Sequence, residues 1–223
     1  MRLLAIDTAL EACSVGVSID DAPAILVSEV IGRGHAERLF GMLKAAMEEA
    51  GLAFADLERI AVTVGPGSFT GLRVGIATAR GLGLVVECPV IGIGTLSVHA
   101  ETARAIAGPQ PVLAVLDARR DELYGQAFAA DGRALTEPEV AGVAEFAGRL
   151  KPGTVLAGSG ADLVAAMLAP ARRPEIVHRN SAPDINALIR LGRAAPPPDR
   201  PPRPLYLRPP DARPQLDKRI LRQ

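Results

Sequence analysis

The chain is 223 residues long and carries 25 basic against 25 acidic side chains, three His, 3% aromatic residues and no Trp. That length suits one large domain or two small lobes with ample core. Balanced charge and few rings speak against a protein that grips nucleic acid alone, which would show a basic patch or stacking aromatics.

In chain order, the opening "MRLLAIDTALEACSVGVSI" is interrupted by Asp7 and Glu11 too early for a secretory leader. No uncharged apolar run approaches the roughly 18 residues that would span a bilayer, so a cytoplasmic protein is expected. Cys13 and Cys88 fit that compartment: they are distant and form no CxxC, and they read as buried thiols rather than a disulfide or zinc ligands.

The segment "LLAIDTALEACSVGVSIDD" reads as an apolar strand ending in Asp7, a short polar turn, and a second alternating strand. A helix follows from His35 to a cap at Gly51, with Leu39, Phe40, Leu43 and Met47 on one side and Glu37, Lys44 and Glu48 on the other. An acidic helical turn, "FADLE", then enters a buried strand. "CPVIGIGTLSVHAETARAIA" is a strand feeding a further helix.

"VLAVLDARRDELYGQAFAADG" repeats the opening pattern, with Asp117 in the place of Asp7, and "GTVLAGSGADLVAAML" repeats the strand, glycine loop and helix of "RIAVTVGPGSFTGLRVG". An internal duplication is the simplest explanation. The predicted architecture is α/β, with a mixed sheet flanked by helices in each of two lobes. The boundaries expected are 1–107 for the first lobe, 108–195 for a second, reduced one, and 196–223 for a tail. That tail holds nine prolines between Pro196 and Pro214, which excludes helix and central strand; Leu205, Tyr206 and Leu207 are its expected anchor.

The most unusual stretch is "VTVGPGSFTGLRVGIATARGLG", Val62 to Gly83. It lacks the lysine of a Walker loop, and Thr70 stands where the third glycine of a dinucleotide fingerprint belongs. A helix should begin at about Ser68 to Thr70, its free N–H groups either holding an anion or capped by those hydroxyls, with capping favoured. Beyond the loop, Gly71, Gly75, Ala79 and Gly83 recur every four residues, bordered by Leu72 and Ile76, with Arg73 and Arg80 alongside. Each helical glycine costs about 1 kcal/mol relative to alanine, so this bare face must gain close packing. The spacing leaves open whether it packs on the chain's own core or on a second protein.

Chemistry of other kinds is missing. His35, His99 and His178 form no metal-binding pair in sequence, since the i−4 partner of His99 is Thr95. Ser68 does not sit in a GxSxG elbow. Asp7 and Asp117 could be cleft carboxylates, although a strand-end Asp more often caps its turn.

Taken together, "AIDTALEACSVGV", "GPGSFTGLRVGIATARGLG", "VIGIGTLSVHA", "VLDARRDELYG" and "PLYLR" resemble the bacterial TsaB (YeaZ) family over nearly the whole chain. The resemblance implies the duplicated two-lobed fold of actin, sugar kinases and chaperone ATPases (ASKHA). It also implies a part in installing threonylcarbamoyladenosine next to the anticodon of tRNAs that read codons beginning with A. In that scheme the paralogue TsaD performs the transfer with a bound metal, TsaB pairs with it as a non-catalytic subunit, and the ATPase TsaE joins them. Metal and nucleotide are expected on the partner subunits and no cofactor on this chain; tRNA is met only through the complex. For the chain alone, monomer and homodimer are both left open.

TsaD carries a His-x3-His pair where this chain has Thr95 and His99, so one ligand is replaced. The family's pairing surface falls on the two helices described above, which implies an interface of His35, Leu39, Leu43, Met47, Leu72, Gly75, Ile76, Ala79, Arg80 and Gly83. The competing reading is a nucleotide hydrolase or phosphotransferase built on Asp7, the glycine loop and "AGSGAD".

Overall fold

The computed structural model describes residues 1–208. Strands β1 (Arg2–Asp7), β2 (Ala12–Ile19) and β3 (Ile25–Val30) form an antiparallel meander, followed by helix α1 (His35–Glu49). Strand β4 (Arg59–Gly65), helix α2 (Phe69–Val85), strand β5 (Val90–Gly94) and helix α3 (Thr95–Ala107) complete the first repeat. The second repeat runs β6 (Val112–Asp117), β7 (Glu122–Phe128), β8 (Glu139–Gly142), α4 (Val143–Arg149), β9 (Val155–Ala157), α5 (Ala161–Ala166), β10 (Ile176–His178) and α6 (Ile185–Ala194).

The sheets have the orders β3-β2-β1-β4-β5 and β8-β7-β6-β9-β10, so each strand of the first has a counterpart in the second. In both, the first two pairings after the leading strand are antiparallel and the crossovers are parallel. The duplication expected from the sequence is therefore present, as two five-stranded mixed sheets flanked by helices.

Strand β1 is apolar from Leu3 to Ile6 because both of its faces are covered. Leu4 and Ile6 meet Leu39, Leu43 and Met47 of α1 and Leu72, Ile76 and Ala79 of α2. Leu3 and Ala5 meet Ile185, Leu188 and Ile189 of α6 on the opposite face. In the second sheet, Val112, Ala114 and Leu116 pack on Leu96, Ala100 and Ala103 of α3, while Leu113 and Val115 face Phe146 of α4 and Val164 of α5.

The third helices are thus exchanged between repeats: α3 covers the second sheet and α6 the first, and the two touch each other between the sheets. The boundary expected after residue 107 separates the repeats in sequence, whereas the packing crosses it. Arg59 fixes the exchange by donating from Nη1 to the carbonyls of Gly192 (2.9 Å) and Ala195 (2.6 Å), which leave α6 without intrahelical partners.

The proline segment returns along the first sheet. Pro202 lies on Gly92 of the edge strand β5, and Leu205 N–H donates to the Val64 carbonyl at 2.7 Å. Tyr206 stacks on Phe69 of α2 (ring centroids 5.2 Å apart), and Arg208 donates to the Ala118 carbonyl (2.6 Å) and pairs with Glu122 of the second sheet. Leu205 and Tyr206 therefore anchor the segment as expected, and Arg208 extends its hold to the other repeat. The stretch 209–223 of the expected tail lies outside the described residues.

Candidate partner interface

The turn from β4 into α2 explains the glycines. Ser68 caps the helix, accepting from Gly71 N–H at 3.3 Å, so the hydroxyl reading of the helix start holds. The loop presses on the β1–β2 turn: Ser68 N–H donates to the Ala9 carbonyl at 2.6 Å, and a Cβ on Gly67 would lie 2.3 Å from that same oxygen. A Cβ on Gly71 would lie 2.1 Å from the Thr8 carbonyl, and one on Gly75 2.3 Å from Thr8 Oγ1. Thr8 Oγ1 donates to Gly71 O at 2.8 Å across this contact. Gly83 meets the Val90 side chain of the neighbouring strand, where a Cβ would lie 2.3 Å from Val90 Cγ2.

The bare stripe of α2 thus faces its own sheet. This corrects the placement of the interface on Gly75, Ala79 and Gly83: four-residue spacing reports a close approach, and the neighbour approached is the chain itself. Leu39, Leu43, Met47, Leu72 and Ile76 are likewise core residues. His35 is buried, its Nε2–H donating to the Leu10 carbonyl at 2.9 Å, which ties the start of α1 to the β1–β2 turn. Of the ten residues expected at the interface, Arg80 is the one that stands on the surface.

The outward faces of these helices are apolar in places the sequence reading did not assign. Phe40, taken there with the inner side of α1, is 65% exposed; Leu84 and Val85 at the end of α2 are 81% and 79% exposed. Phe69, Arg73, Ala77 and Gly81 also look outward, and the Arg73 guanidinium lies 3.7 Å over the Phe69 ring. The available signal was phase. Ala77, Arg80 and Leu84 share a helix side opposite the glycine stripe, and apolar residues there have no call to be solvated.

The cleft carboxylates act as turn caps in both repeats. Asp7 Oδ1 accepts from Ala9 N–H (3.2 Å) and from Thr63 Oγ1–H (2.6 Å); Asp117 Oδ1 accepts from Arg119 N–H (2.7 Å). Asp7 is fully buried, and burial outweighs the two hydrogen bonds, raising its pKa to about 6. Its Oδ2 has no hydrogen-bond partner.

His99 and His178, far apart in sequence, stack with ring centroids 5.3 Å apart beneath the loop that enters α6. His178 Nε2–H donates to the His99 carbonyl at 3.2 Å, and His99 Nε2–H donates to the Ser181 carbonyl at 3.1 Å. Burial, then the adjacent ring, lowers the His99 pKa to about 3; burial also lowers that of His178. Both rings are held neutral. Among the described residues no group of three or more His, Cys, Asp or Glu is arranged to hold a metal ion. No helix among them is long and apolar enough to cross a membrane.

Residues 26–167 match the family model of TsaD, tRNA N6-adenosine threonylcarbamoyltransferase. The solved structure of YeaZ from Pseudomonas aeruginosa superimposes with a TM-score of 0.76 at 31% identity, covering 92% of this chain and 99% of that one. The chain belongs to the TsaB (YeaZ) family. Escherichia coli TsaB, a tRNA threonylcarbamoyladenosine biosynthesis protein, is 41% identical over 131 residues, which is 59% of this chain and 56% of that protein. An uncharacterized Mycobacterium bovis protein is 38% identical over 217 residues, covering 95% and 94%. The aligned stretch thus spans little more than half of the curated TsaB protein, while the Pseudomonas YeaZ and the Mycobacterium bovis protein match over more than nine tenths of this TsaB-family chain.

Proposed function

We propose that this protein is a non-catalytic subunit of the machinery that forms threonylcarbamoyladenosine beside the anticodon in tRNAs reading codons that begin with A, and that it acts by pairing with a TsaD-type paralogue. The observation that carries the reading is the outer surface of α1 and α2. Phe40, Leu84 and Val85 are large apolar side chains left in water on two adjacent helices, while the inner faces of those helices are fully used. The match of residues 26–167 to the TsaD model supports a partner built on the same helices.

Two further features favour a supporting role over chemistry. The space where a glycine loop would cradle phosphate is taken by the Ala9 and Thr8 carbonyls, and the cleft carboxylate Asp7 is buried and committed to its turn. Thr95 and His99 stand where the paralogue has two ligands, and His99 is stacked and hydrogen-bonded within the core. On this reading the metal and nucleotide belong to the partner subunits, TsaE joins as the ATPase, and tRNA is reached through the complex. Reconstituting tRNA modification from TsaD, TsaE and the threonylcarbamoyl-adenylate source tests it. Modification should fall to background when this protein is omitted; undiminished modification without it would remove the proposed role, and Mg·ATP turnover by the isolated chain would replace it with the hydrolase reading.

A further inference from the structure

The two repeats differ most in the helices on their outer faces. Helix α1 has 15 residues and its counterpart α4 has 7. In length that is about 22 Å against about 10 Å. Helix α4 starts at the Asp121 end of the second sheet, where Val143 N–H donates to the Asp121 carbonyl at 3.4 Å, and it stops at Arg149 with Phe146 lying on Gly125. Strand β7 runs on past Gly125 to Phe128. A recess of about 480 Å³ is left at that end, lined by Leu113, Ala127, Phe128, Phe146 and Leu150, with the half-exposed Leu135 at its lip.

Three charged side chains stand around the recess, Glu139, Arg149 and Lys151. Arg149 is held by both Glu139 (2.7 Å) and Glu145. The Lys151 ammonium is exposed and has no ion pair among the described residues. Lys151 also borders the adjoining groove, where Arg172 and Arg173 stand against a single acid, Glu175. The mouth of an apolar recess is therefore positive on one side.

We propose that this recess binds a small monoanionic amphiphile, a free carboxylate on an apolar chain, with the chain on Leu113, Ala127 and Phe146 and the head group at Lys151. The site belongs to the second repeat and stands independently of any pairing through α1 and α2. Its volume falls within the roughly 300–1,000 Å³ of small-molecule sites, and its lining has their pattern of an apolar body with few polar groups. Those few are engaged: Thr136 Oγ1 accepts from Ala127 N–H at 3.1 Å, and the Thr136 carbonyl accepts from Gln126 Nε2 at 2.9 Å. A peptide would bring backbone N–H and carbonyl groups into a space without partners for them, whereas a hydrocarbon chain requires none. The unpaired ammonium at the rim selects the negative head group.

The test titrates decanoate, kept below its micelle concentration, into the full chain and follows the amide resonances. Those of Leu113, Ala127 and Leu150 should shift saturably. Ala127→Leu, which fills the recess, should weaken binding about tenfold or more while the protein melts at or above the wild-type temperature. Lys151→Glu, at an exposed position, should weaken it about tenfold, and 1-decanol, the same chain without the charge, should bind wild type about tenfold more weakly than decanoate. No saturable shift at these amides, or wild-type affinity in Ala127→Leu, overturns the site. Unchanged affinity in Lys151→Glu, or equal affinity for decanol, overturns the anionic head group and with it the proposal. Shifts confined to α1 and α2 would mean adhesion to their exposed apolar side chains and would overturn it as well.

Discussion

Asp7 and the two stacked histidines are buried ionisable groups whose effects on stability run in opposite directions. Asp7 has its pKa raised from 3.8 to about 6, so the folded state binds a proton more readily than the unfolded chain. That term is fully present below about pH 4 and is lost as pH rises through 6; for a shift of this size it amounts to about 3 kcal/mol. His99 and His178 have lowered values, so their contribution is present above about pH 6.5 and drains away on acidification. Between pH 6 and 4 the two partly cancel. Asp7→Asn should therefore make urea stability fall more steeply from pH 7 to pH 4 than in wild type, because the histidine term is left unopposed. Identical pH dependence in the two proteins would refute the assignment. Of these groups the sequence exposed Asp7, through its place at a strand end. The contact of His99 with His178 was hidden, since it joins residues brought together by the exchange of helices.

Helix α2 shows how far periodicity reaches at the level of an element. The four-residue spacing of Gly71, Gly75, Ala79 and Gly83 correctly announced a close approach and was silent about the neighbour. Ser68 as the cap, the strand before it and the helix after it were all readable, because each is set by local chemistry. The two sides of the helix can be told apart by paired substitutions. Gly75→Ala should cost about 1–3 kcal/mol, since its Cβ would collide with Thr8 Oγ1 in a packed core. Gly81→Ala should stabilise by up to about 1 kcal/mol, since it meets no atom and gains helix propensity. Thermal melts of the two variants decide it, and a destabilised Gly81→Ala would mean that α2 is not disposed as described. On α1 the same reasoning separates Leu39, Leu43 and Met47, which are core, from Phe40, which is one residue out of phase with them and left exposed.

For the whole molecule, the duplication and the mixed α/β class were legible because the two repeats echo each other in their strand, turn and glycine-loop pattern, whereas the order of the strands in each sheet was not. The exchange of α3 and α6 was not: an amphipathic helix declares that one face is buried and does not say under which sheet. Because of the exchange, residues 1–107 hold a sheet with one face covered only in part, by Val98 of α3, and a helix whose other apolar side, Leu96, Ala100 and Ala103, belongs elsewhere. That fragment alone should lack dispersed amide resonances, and adding residues 108–208 should restore them; a well-dispersed spectrum from 1–107 by itself would contradict the packing. The same arrangement governs the order of events on the ribosome. The last strand of the first sheet is complete at Gly94, yet Leu3, Ala5 and Ala61, with only Val98 of α3 to cover them, must wait for Ile185, Leu188 and Ile189 before they are fully buried. Nearly the entire second repeat is synthesised during that wait, with a greasy surface open to chaperones and to other nascent chains.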